Sequence, residues 1–311
     1  MALFLLFLPL TTAAITIPPG FSRILFSDDF SLLSPGSQPS TSKWFYSLGT
    51  SYPGGPARWG TNEIQSFTSS PSNIAITSSN PPSLRITPLV SSSSRWTSSR
   101  IETLPKHDGD IACPPSSRIR IEASLKFGSN PAETQLGIWP AFWAMGSIFR
   151  DPSGNYTAWP AAGEIDIAES VNGVEKLYHA LHCGWAPGGP CDEYNGLKSI
   201  TPLPRREGEF HTVAVEIDRT NPGGNWRGES VSWYLDGRRV FRVDGNGFAS
   251  DQEWVWTAVT RGAKFLILNV SVGGDFADNA ENPGRVKTPT PATRGGEGAA
   301  MEVRYVAVFG T

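Results

Sequence analysis

The chain has 311 residues, of which 39% are hydrophobic and 18% are charged, and its formal net charge is -3. Its 26 Lys and Arg residues form no run longer than a pair, which excludes the clustered positive charge that nucleic-acid binding requires. This length can bury one large core or two modest ones, and all-β domains of this size are often single.

The N-terminal segment MALFLLFLPLTTAA has an apolar run from Ala2 to Leu10, followed by small residues that suit cleavage after Ala14. This pattern predicts a secretory signal peptide over residues 1–14, because the apolar run is too short to cross a bilayer. The segment lacks a basic start, and a buried first strand is the alternative. We expect residues 15–311 to form a single domain that is secreted to the extracellular space or cell wall and makes no membrane contact.

Short runs of alternating apolar and polar residues recur along the rest of the chain, and each is bounded by Gly, Pro, Asn or Ser. Four of them are SLRITPL (83–89), RIRIEASLKF (118–127), HTVAVEID (211–218) and EVRYVAVF (302–309). Such alternation is typical of strands, and no helical period is sustained beyond about ten residues. Between two such runs, Asp236-Gly237 predicts a tight hairpin. The pattern therefore favours an all-β sandwich over an α/β fold.

The segment AGEIDIAESV places three acids in what otherwise reads as a buried strand. Side chains alternate faces along a strand, so Glu164 and Asp166 point one way while the isoleucines between and after them point into the core. Glu169 would then face the core side. A β-bulge near Ile167 or Ala168 would insert one residue, reverse the parity and bring all three acids to one face.

A structural role does not explain this row of acids, because neighbouring carboxylates raise one another's pKa and unpaired buried charges are costly. The alternative explanation for the three acids is an exposed, solvated strand face. Retaining glycoside hydrolysis uses two carboxyl groups about 5–5.5 Å apart, one as nucleophile and one as acid/base. A third acid between them can hold or share a proton, which keeps the nucleophile ionised and the acid/base protonated. The spacing therefore favours a retaining glycosidase site.

Tryptophans cluster in the segments around these acids, and sugars present flat C–H faces that pack on aromatic rings. GIWPAFWAMG supplies Trp139 and Trp143, TAWPAAG supplies Trp159, and ARWGTNE supplies Trp59. A core position is the alternative for each of them. Trp159 is the strongest candidate, because it lies in a predicted loop five residues before Glu164.

The three cysteines are too few for a disulfide framework, but Cys183 and Cys191 flank the turn-rich segment GWAPGGP. A small loop closed by a disulfide between these two is predicted, and three buried thiols are the alternative. Cys113 stays unpaired in both cases. No spacing of Cys and His resembles a zinc site, so we expect no metal and no cofactor.

GEIDIAES resembles the E-I-D-x-x-E signature of glycoside hydrolase family 16, in the bulge-bearing branch of fungal-type laminarinases and endo-1,3(4)-β-glucanases. Other segments are similar to this family in the same order along the chain. They are LFSDDFS (25–31), WGTNEIQSFTSSPSNIAI (59–76), WTSSRIET (96–103), RIEASLKF (120–127), GIWPAFWAMG (137–146) and FLILNVSVGGDF (265–276). The resemblance implies a jelly-roll sandwich of two antiparallel sheets, with a concave cleft for a β-glucan.

Carried over position by position, the resemblance makes Glu164 the nucleophile, Asp166 the assisting acid and Glu169 the acid/base. It implies a monomeric, endo-acting hydrolase of β-1,3- or mixed 1,3/1,4-glucan. It also implies a set of cleft residues, with Asn269 as a weaker member: Asn62, Arg100, Trp139, Trp143, Trp159 and His182. For His182, a satisfied core histidine is the alternative.

Two other functions are compatible with the same resemblance. One is β-glucan transglycosylation, although the family's cell-wall transglycosylases mostly carry the unbulged E-x-D-x-E spacing. The other is non-catalytic β-glucan binding, although such proteins have typically lost a catalytic glutamate and this chain keeps all three acids. Linkage preference depends on loops without a readable motif: 50–63, 147–163 and 184–197.

One position departs from the family pattern. Many relatives bind a structural calcium through an acid near the chain's end, in a pattern like M-x-V-D-Y-V. Here MEVRYVAVF has Arg304 at the place of that acid, and a cation there opposes metal binding. We therefore expect no calcium site.

Overall fold

The computed structural model describes residues 15–151, 156–203, 209–221 and 223–311. The predicted signal peptide, residues 1–14, lies outside the described residues. Within the described ranges, no helix has both the length and the apolar composition needed to cross a membrane.

Strands make up most of the regular structure in the described chain. In chain order they are β1 (Arg23–Asp28), β2 (Trp44–Tyr46), β3 (Ser66–Phe67), β4 (Ile74–Ile76), β5 (Leu84–Ile86), β6 (Leu89–Val90), β7 (Trp96–Ser98), β8 (Arg100–Thr103), β9 (Arg118–Phe127), β10 (Ile138–Gly146), β11 (Glu164–Glu169), β12 (Lys176–His182), β13 (Leu197–Pro202), β14 (His211–Asp218), β15 (Ser230–Leu235), β16 (Arg238–Asp244), β17 (Lys264–Val272) and β18 (Met301–Gly310).

The helices are short, as the lack of a sustained helical period predicts. The two α-helices are α1 (Glu253–Thr260) and α2 (Asp275–Asn279). Turns of 3-10 helix lie at Ala57–Gly60, Pro105–Ile111, Ala132–Thr134, Ser147–Arg150, Tyr156–Ala158, Trp226–Gly228, Gly245–Gly247, Ser250–Gln252, Pro283–Arg285 and Glu297–Ala299.

Two large antiparallel sheets form the molecule, which confirms the predicted all-β sandwich. The eight-stranded sheet has the order β16-β15-β14-β9-β18-β5-β4, and β1 also pairs with β18. The seven-stranded sheet has the order β13-β12-β11-β10-β17-β8-β2. A small third sheet has the order β3-β7-β6. The segment with the three acids, β11, therefore lies inside the seven-stranded sheet, between β10 and β12.

The hydrophobic core joins the two large sheets. Ile121 and Trp233 of the eight-stranded sheet and Ile165 and Leu268 of the seven-stranded sheet belong to one cluster of fully buried side chains. Burying an apolar side chain of this size contributes roughly 1.5–3 kcal/mol relative to leaving it exposed. The core thus fixes which face of each strand points inward, and by alternation which face is left for the site.

The predicted hairpin is present between β15 and β16. Leu235 pairs with Arg238, which leaves a loop of two residues. Asp236 and Gly237 have φ angles of 48° and 77°. Both central residues of a type I′ turn need positive φ, and Asp-Gly meets that need at low steric cost.

The predicted disulfide is present, whereas Cys113 is a free, buried thiol. Cys183 at the end of β12 is bonded to Cys191, eight residues later. Just beyond this loop, the backbone of Glu193 forms a bridge with Gly188. The disulfide and the bridge together hold the segment that follows β12 against the edge of the site.

We expect reduction of this disulfide to lower the free energy of unfolding by about 2–4 kcal/mol, because the bond restricts the unfolded chain. Thermal melting with and without a reductant measures the effect. The Cys183→Ala/Cys191→Ala variant is the matched control, since its melting temperature should not respond to reductant. Equal melting temperatures for the oxidised and reduced wild-type protein would contradict the prediction.

Candidate active site

Strand β11 contains the predicted β-bulge. In its pairing with β10, Ala168 lies opposite Phe142 and Asp166 lies opposite Trp143, so Ile167 is the additional residue. The pairing of β11 with β12 shifts over the same stretch. The bulge reverses the side-chain parity before the end of the strand, as the spacing of the acids requires.

The three acids lie together on the face of β11 that points away from the core, while the isoleucines of this strand belong to the core. Nε2 of His182 is 3.3 Å from an Asp166 carboxylate oxygen and 4.0 Å from one of Glu164. The charge of Asp166 acts on Glu164 and Glu169 alike. The structure therefore brings together the three residues that the sequence singles out, with Asp166 in the middle.

Two buried side chains hold backbone carbonyl groups at the bulge. The indole N–H of Trp233 donates to the carbonyl oxygen of Asp166 at 2.8 Å. Nδ1 of His179 lies 2.8 Å from the carbonyl oxygen of Ile167, and since a carbonyl only accepts, Nδ1 carries the proton. Burial lowers the pKa of His179 and keeps its ring neutral. Because Trp233 belongs to β15, the opposite sheet helps to fix the shape of the bulge.

His182 is a partly buried cation among carboxylates. Its Nδ1 donates to Glu193 Oε2 at 2.7 Å, and its Nε2 faces Asp166. Burial alone would lower the pKa of His182, but hydrogen bonds to Asp166 and Glu193 and the charges of the neighbouring acids raise it to about 11. The structure therefore places His182 beside the three acids, and its position in a substrate cleft stays a prediction.

The two outer acids differ in what stabilises their ionised forms. Burial, followed by the charge of Asp166, raises the pKa of Glu164 to about 8 and raises that of Glu169 well above its ordinary value. The imidazolium of His182 lies against Glu164, whereas Glu169 accepts a hydrogen bond of 2.8 Å from the neutral indole of Trp139. A cation stabilises a carboxylate more than a neutral donor does, so Glu164 loses its proton before Glu169.

Aromatic side chains surround the outer acids. The Trp159 side chain hydrogen-bonds to Glu164, and its ring lies 5.7 Å from that of His182. Tyr194, which is 70% exposed, stacks on Trp159 with ring centroids 6.0 Å apart. On the other side, Trp139 packs edge-on against Phe276. Each end of the row of acids therefore has an indole bound directly to a carboxylate.

Arg100 lies beneath a second group of aromatic rings and is only 4% exposed. Its guanidinium carbon is 4.6 Å from the ring centroid of Trp59, 5.0 Å from that of Trp143 and 5.2 Å from that of Tyr52. Its Nε lies 3.1 Å from a Glu102 carboxylate oxygen. The structure thus makes Arg100 a support for these rings, buried behind them.

The two predicted asparagines occupy different places. Asn269 is 4% exposed, and it accepts a hydrogen bond from the indole of Trp143 at 2.8 Å. Asn62 donates to the carboxylate of Asp275 at 2.9 Å, at the start of α2. Within the described part of the chain, the recorded hydrogen bonds and ion pairs do not join Asn62 to the three acids. Asn269 therefore orients an aromatic ring, whereas Asn62 is bound to the first residue of α2.

A metal ion is not needed to explain the grouping of acids with His182. Glu164, Asp166 and His182 offer ligand atoms within 4.8 Å of one another. Both ring nitrogens of His182 face carboxylates, however, and a doubly protonated ring has no lone pair for a metal. Arg304 stands where many relatives have a calcium-binding acid. Its guanidinium lies on the eight-stranded sheet, 3.8 Å from the ring centroid of Phe210. The absence of metal and of calcium stays a prediction.

Sequence reasoning missed several residues that complete the site. Glu193 lies in a turn-rich segment without any period, and the only signal near it is the preceding Cys191. Trp233 and His179 read as ordinary core positions, because nothing in a strand pattern indicates which backbone carbonyl a buried side chain will meet. Tyr194 directly follows Glu193 and carries no separate signal.

Comparisons with known proteins identify the family of the chain. A family profile described as "XgeA-like, catalytic GH16 domain" matches residues 127–197, which include β11 and β12. The structure of the endo-1,3-beta-glucanase from Streptomyces sioyaensis is similar over 96% of this chain and 99% of its own, with 37% sequence identity and a TM-score of 0.83. The chain belongs to glycoside hydrolase family 16. The two large sheets are the jelly roll that this family 16 chain shares with its structural neighbours.

Two curated relatives of this family 16 chain are longer proteins. Glucan endo-1,3-beta-glucosidase A1 of Niallia circulans is 26% identical over 306 residues, which cover 92% of this chain and 38% of the relative. Keratan-sulfate endo-1,4-beta-galactosidase of Sphingobacterium multivorum is 44% identical over 193 residues, which cover 61% of this chain and 36% of the relative. The family 16 chain thus spans little more than a third of the length of either relative.

We expect Trp233→Phe to lower the free energy of unfolding by about 1–3 kcal/mol more than Trp256→Phe does, because the first variant leaves a buried carbonyl of the bulge without its donor. Trp256 is equally buried, and its indole N–H has no hydrogen-bond partner among the described residues. Urea unfolding compares the two variants, and hydrogen exchange of the β11 amides locates the loss. Equal losses in both variants would contradict this role of Trp233.

Proposed function

We propose that the protein is a secreted, endo-acting, retaining β-glucan hydrolase of the bulge-bearing branch of family 16, acting on β-1,3- or mixed 1,3/1,4-glucan. The observation that carries the proposal is the grouping of Glu164, Asp166 and Glu169 on one strand face, with a cation beside Glu164 and an indole donor on Glu169. The endo-1,3-beta-glucanase of Streptomyces sioyaensis supports the substrate class, because it is similar over nearly its whole length.

In the first step, the ionised carboxylate of Glu164 attacks the anomeric carbon while Glu169 gives its proton to the departing glycosidic oxygen. The product is a covalent glycosyl-enzyme and a shortened chain with a free hydroxyl. In the second step, the Glu169 carboxylate takes a proton from water as that water attacks the anomeric carbon. The bond to Glu164 breaks, and a sugar of the original anomeric configuration leaves.

The middle acid and its cation prepare the two outer acids for opposite roles. Asp166 adds negative charge between Glu164 and Glu169, which favours keeping a proton on one of them. His182 favours the ionised form of Glu164, the acid that it contacts. Glu169 then keeps its proton for the leaving group. The indoles of Trp139 and Trp159 orient the two carboxylates and offer flat surfaces to sugar rings on either side.

Secretion is part of the proposal. It is supported by the signal-peptide pattern of residues 1–14 and by the Cys183–Cys191 disulfide, since disulfides persist in oxidising compartments. Transglycosylation and non-catalytic glucan binding are the alternative functions. The paired acids with unequal environments favour catalysis over binding alone.

Product analysis tests the reaction class. The protein is incubated with laminarin, lichenan, a β-1,6-glucan and keratan sulfate, and the first-formed anomer is identified by NMR. We expect shorter oligosaccharides from laminarin or lichenan, with the β anomer appearing first. Products longer than the starting oligosaccharide would indicate a transglycosylase, and glucan binding without new reducing ends would indicate a binding protein. Cleavage of keratan sulfate alone would contradict the proposed substrate.

Azide rescue assigns the two glutamates. We expect Glu169→Ala to lower turnover of β-glucan by roughly 10²–10⁴-fold, the contribution of a general acid/base, and Glu164→Ala to lower it at least as much. On an aryl β-glucoside with a good leaving group, azide should give a β-glycosyl azide with Glu169→Ala and an α-glycosyl azide with Glu164→Ala. Glu175→Gln, an exposed acid away from the site, is the control. The reverse pattern of azides would exchange the two roles.

The pKa values predict a bell-shaped pH dependence of kcat/KM. Activity rises as Glu164 ionises and falls as Glu169 loses its proton. The second event needs the higher pH, because the His182 cation lies against Glu164 and only a neutral indole donates to Glu169. In Glu169→Gln, assayed with the activated aryl glucoside, the alkaline limb should disappear while the acidic limb stays. Persistence of an unchanged alkaline limb in this variant would show that another group sets it.

A further inference from the structure

We propose that Glu193 is a positioning residue, whose buried carboxylate fixes the orientation of the His182 ring and holds that ring in its cationic form beside Asp166 and Glu164. Glu193 itself does not reach the reacting atoms in this arrangement; it acts through His182. The effect on turnover rests on the proposed function, whereas the effect on His182 does not.

The carboxylate of Glu193 is fully engaged. One oxygen accepts from Nδ1 of His182 at 2.7 Å, and the other accepts from the backbone N–H of Cys183 at 2.7 Å. Its side chain is buried, and its backbone is bridged to Gly188. Two donors from consecutive residues at the end of β12 therefore fix the position of this carboxylate.

The ring of His182 is confined from its other sides as well. Gly196 lies against it with a φ of 70°, and a Cβ atom built there would come within 2.9 Å of Cε1. The ring of Trp159 lies 5.7 Å away, centroid to centroid. With Nδ1 bound to Glu193, the orientation that remains is the one that directs Nε2 at Asp166. A ring turned by half a rotation would break the bond to Glu193.

The charges that face His182 come from three elements. Glu164, Asp166 and, farther along, Glu169 belong to β11, and Glu193 belongs to the segment after the disulfide. On β13, Lys198 lies opposite Ala180 and shares this face, but it is exposed to solvent. His182 is therefore a partly buried cation that opposes these carboxylates, and the carboxylate of Glu193 stabilises its charge at the shortest distance.

Loss of the charge on Glu193 should lower the pKa of His182. Removing an anion at hydrogen-bond distance disfavours the imidazolium, so the pKa of His182 falls, typically by about 1–3 for a contact of this kind. Once His182 becomes neutral at a lower pH, Glu164 loses its cation there. A role in packing alone would leave the pKa of His182 unchanged in a folded variant.

The test is NMR titration of the histidine rings, of which the chain has four. The signal of His182 is assigned by its loss in His182→Gln. In the wild-type protein we expect both ring nitrogens of His182 to stay protonated through pH 8. In Glu193→Gln we expect its pKa to fall by about 1–3. Asp192→Asn makes the same change of charge at the exposed neighbouring residue and should leave the pKa of His182 unchanged.

Two results would overturn the inference. One is a wild-type His182 ring that is neutral at pH 8, a result that does not depend on the folding of Glu193→Gln. The other is an unchanged pKa of His182 in a folded Glu193→Gln protein. If the pKa falls as expected but no β-glucan is cleaved by the wild-type protein, the proposed function fails and the role of Glu193 stands.

Discussion

Electrostatic repulsion along β11 is the constraint to which the surrounding structure responds. Glu164, Asp166 and Glu169 share one strand face inside a sheet, where water screens their charges poorly. Such a row is compatible with a stable fold only when each carboxylate has a donor or a cation, or keeps its proton. The site contains all three solutions: an imidazolium, indole N–H groups and two carboxyl groups with raised pKa values.

The bulge is the geometric counterpart of this constraint. In a regular strand of this sequence, without the bulge, Glu169 would point into the apolar core, where its charge would be unpaired. With the bulge, the strand bends and its carbonyl groups need donors other than those of a regular ladder. The side chains of Trp233 and His179 supply them from the core side. Side chains of the core therefore hold the backbone of two consecutive residues in the strand of the acids, Asp166 and Ile167.

Sequence patterns over a few residues predict much of the fold and the bulge. Alternation with turn residues predicts the sandwich, Asp236-Gly237 predicts its hairpin, and the parity of the acids predicts the bulge, because each of these depends on neighbours within a few residues. The partners of the site lie beyond such rules. Trp233 is 67 residues from the carbonyl that it binds, and contacts over that distance depend on how two sheets pack. Glu193 depends on the path of an irregular segment, which has no periodic pattern.

The residue roles beyond the three acids show the same division. Arg100 and Asn269 belong to motifs that the sequence makes recognisable, but their burial behind Trp143 emerges only from the packing of β8, β10 and β17. A motif identifies which residues gather in one region of the fold. The surrounding sheets set how deeply each side chain is buried. This depth decides whether the side chain can contact a sugar or only supports another side chain that does.

The bond from Trp233 to the carbonyl of Asp166 ties β11 to the opposite sheet as well as to its own neighbours. Motions that let the two sheets slide or separate would release the bulge while the hydrogen-bonded ladders within each sheet remained intact. On heating, such a protein would lose the alignment of its acids in an early, local transition, ahead of global unfolding. The temperature range over which it works would then be set by contact between the layers of the sandwich, and less by the strength of either sheet.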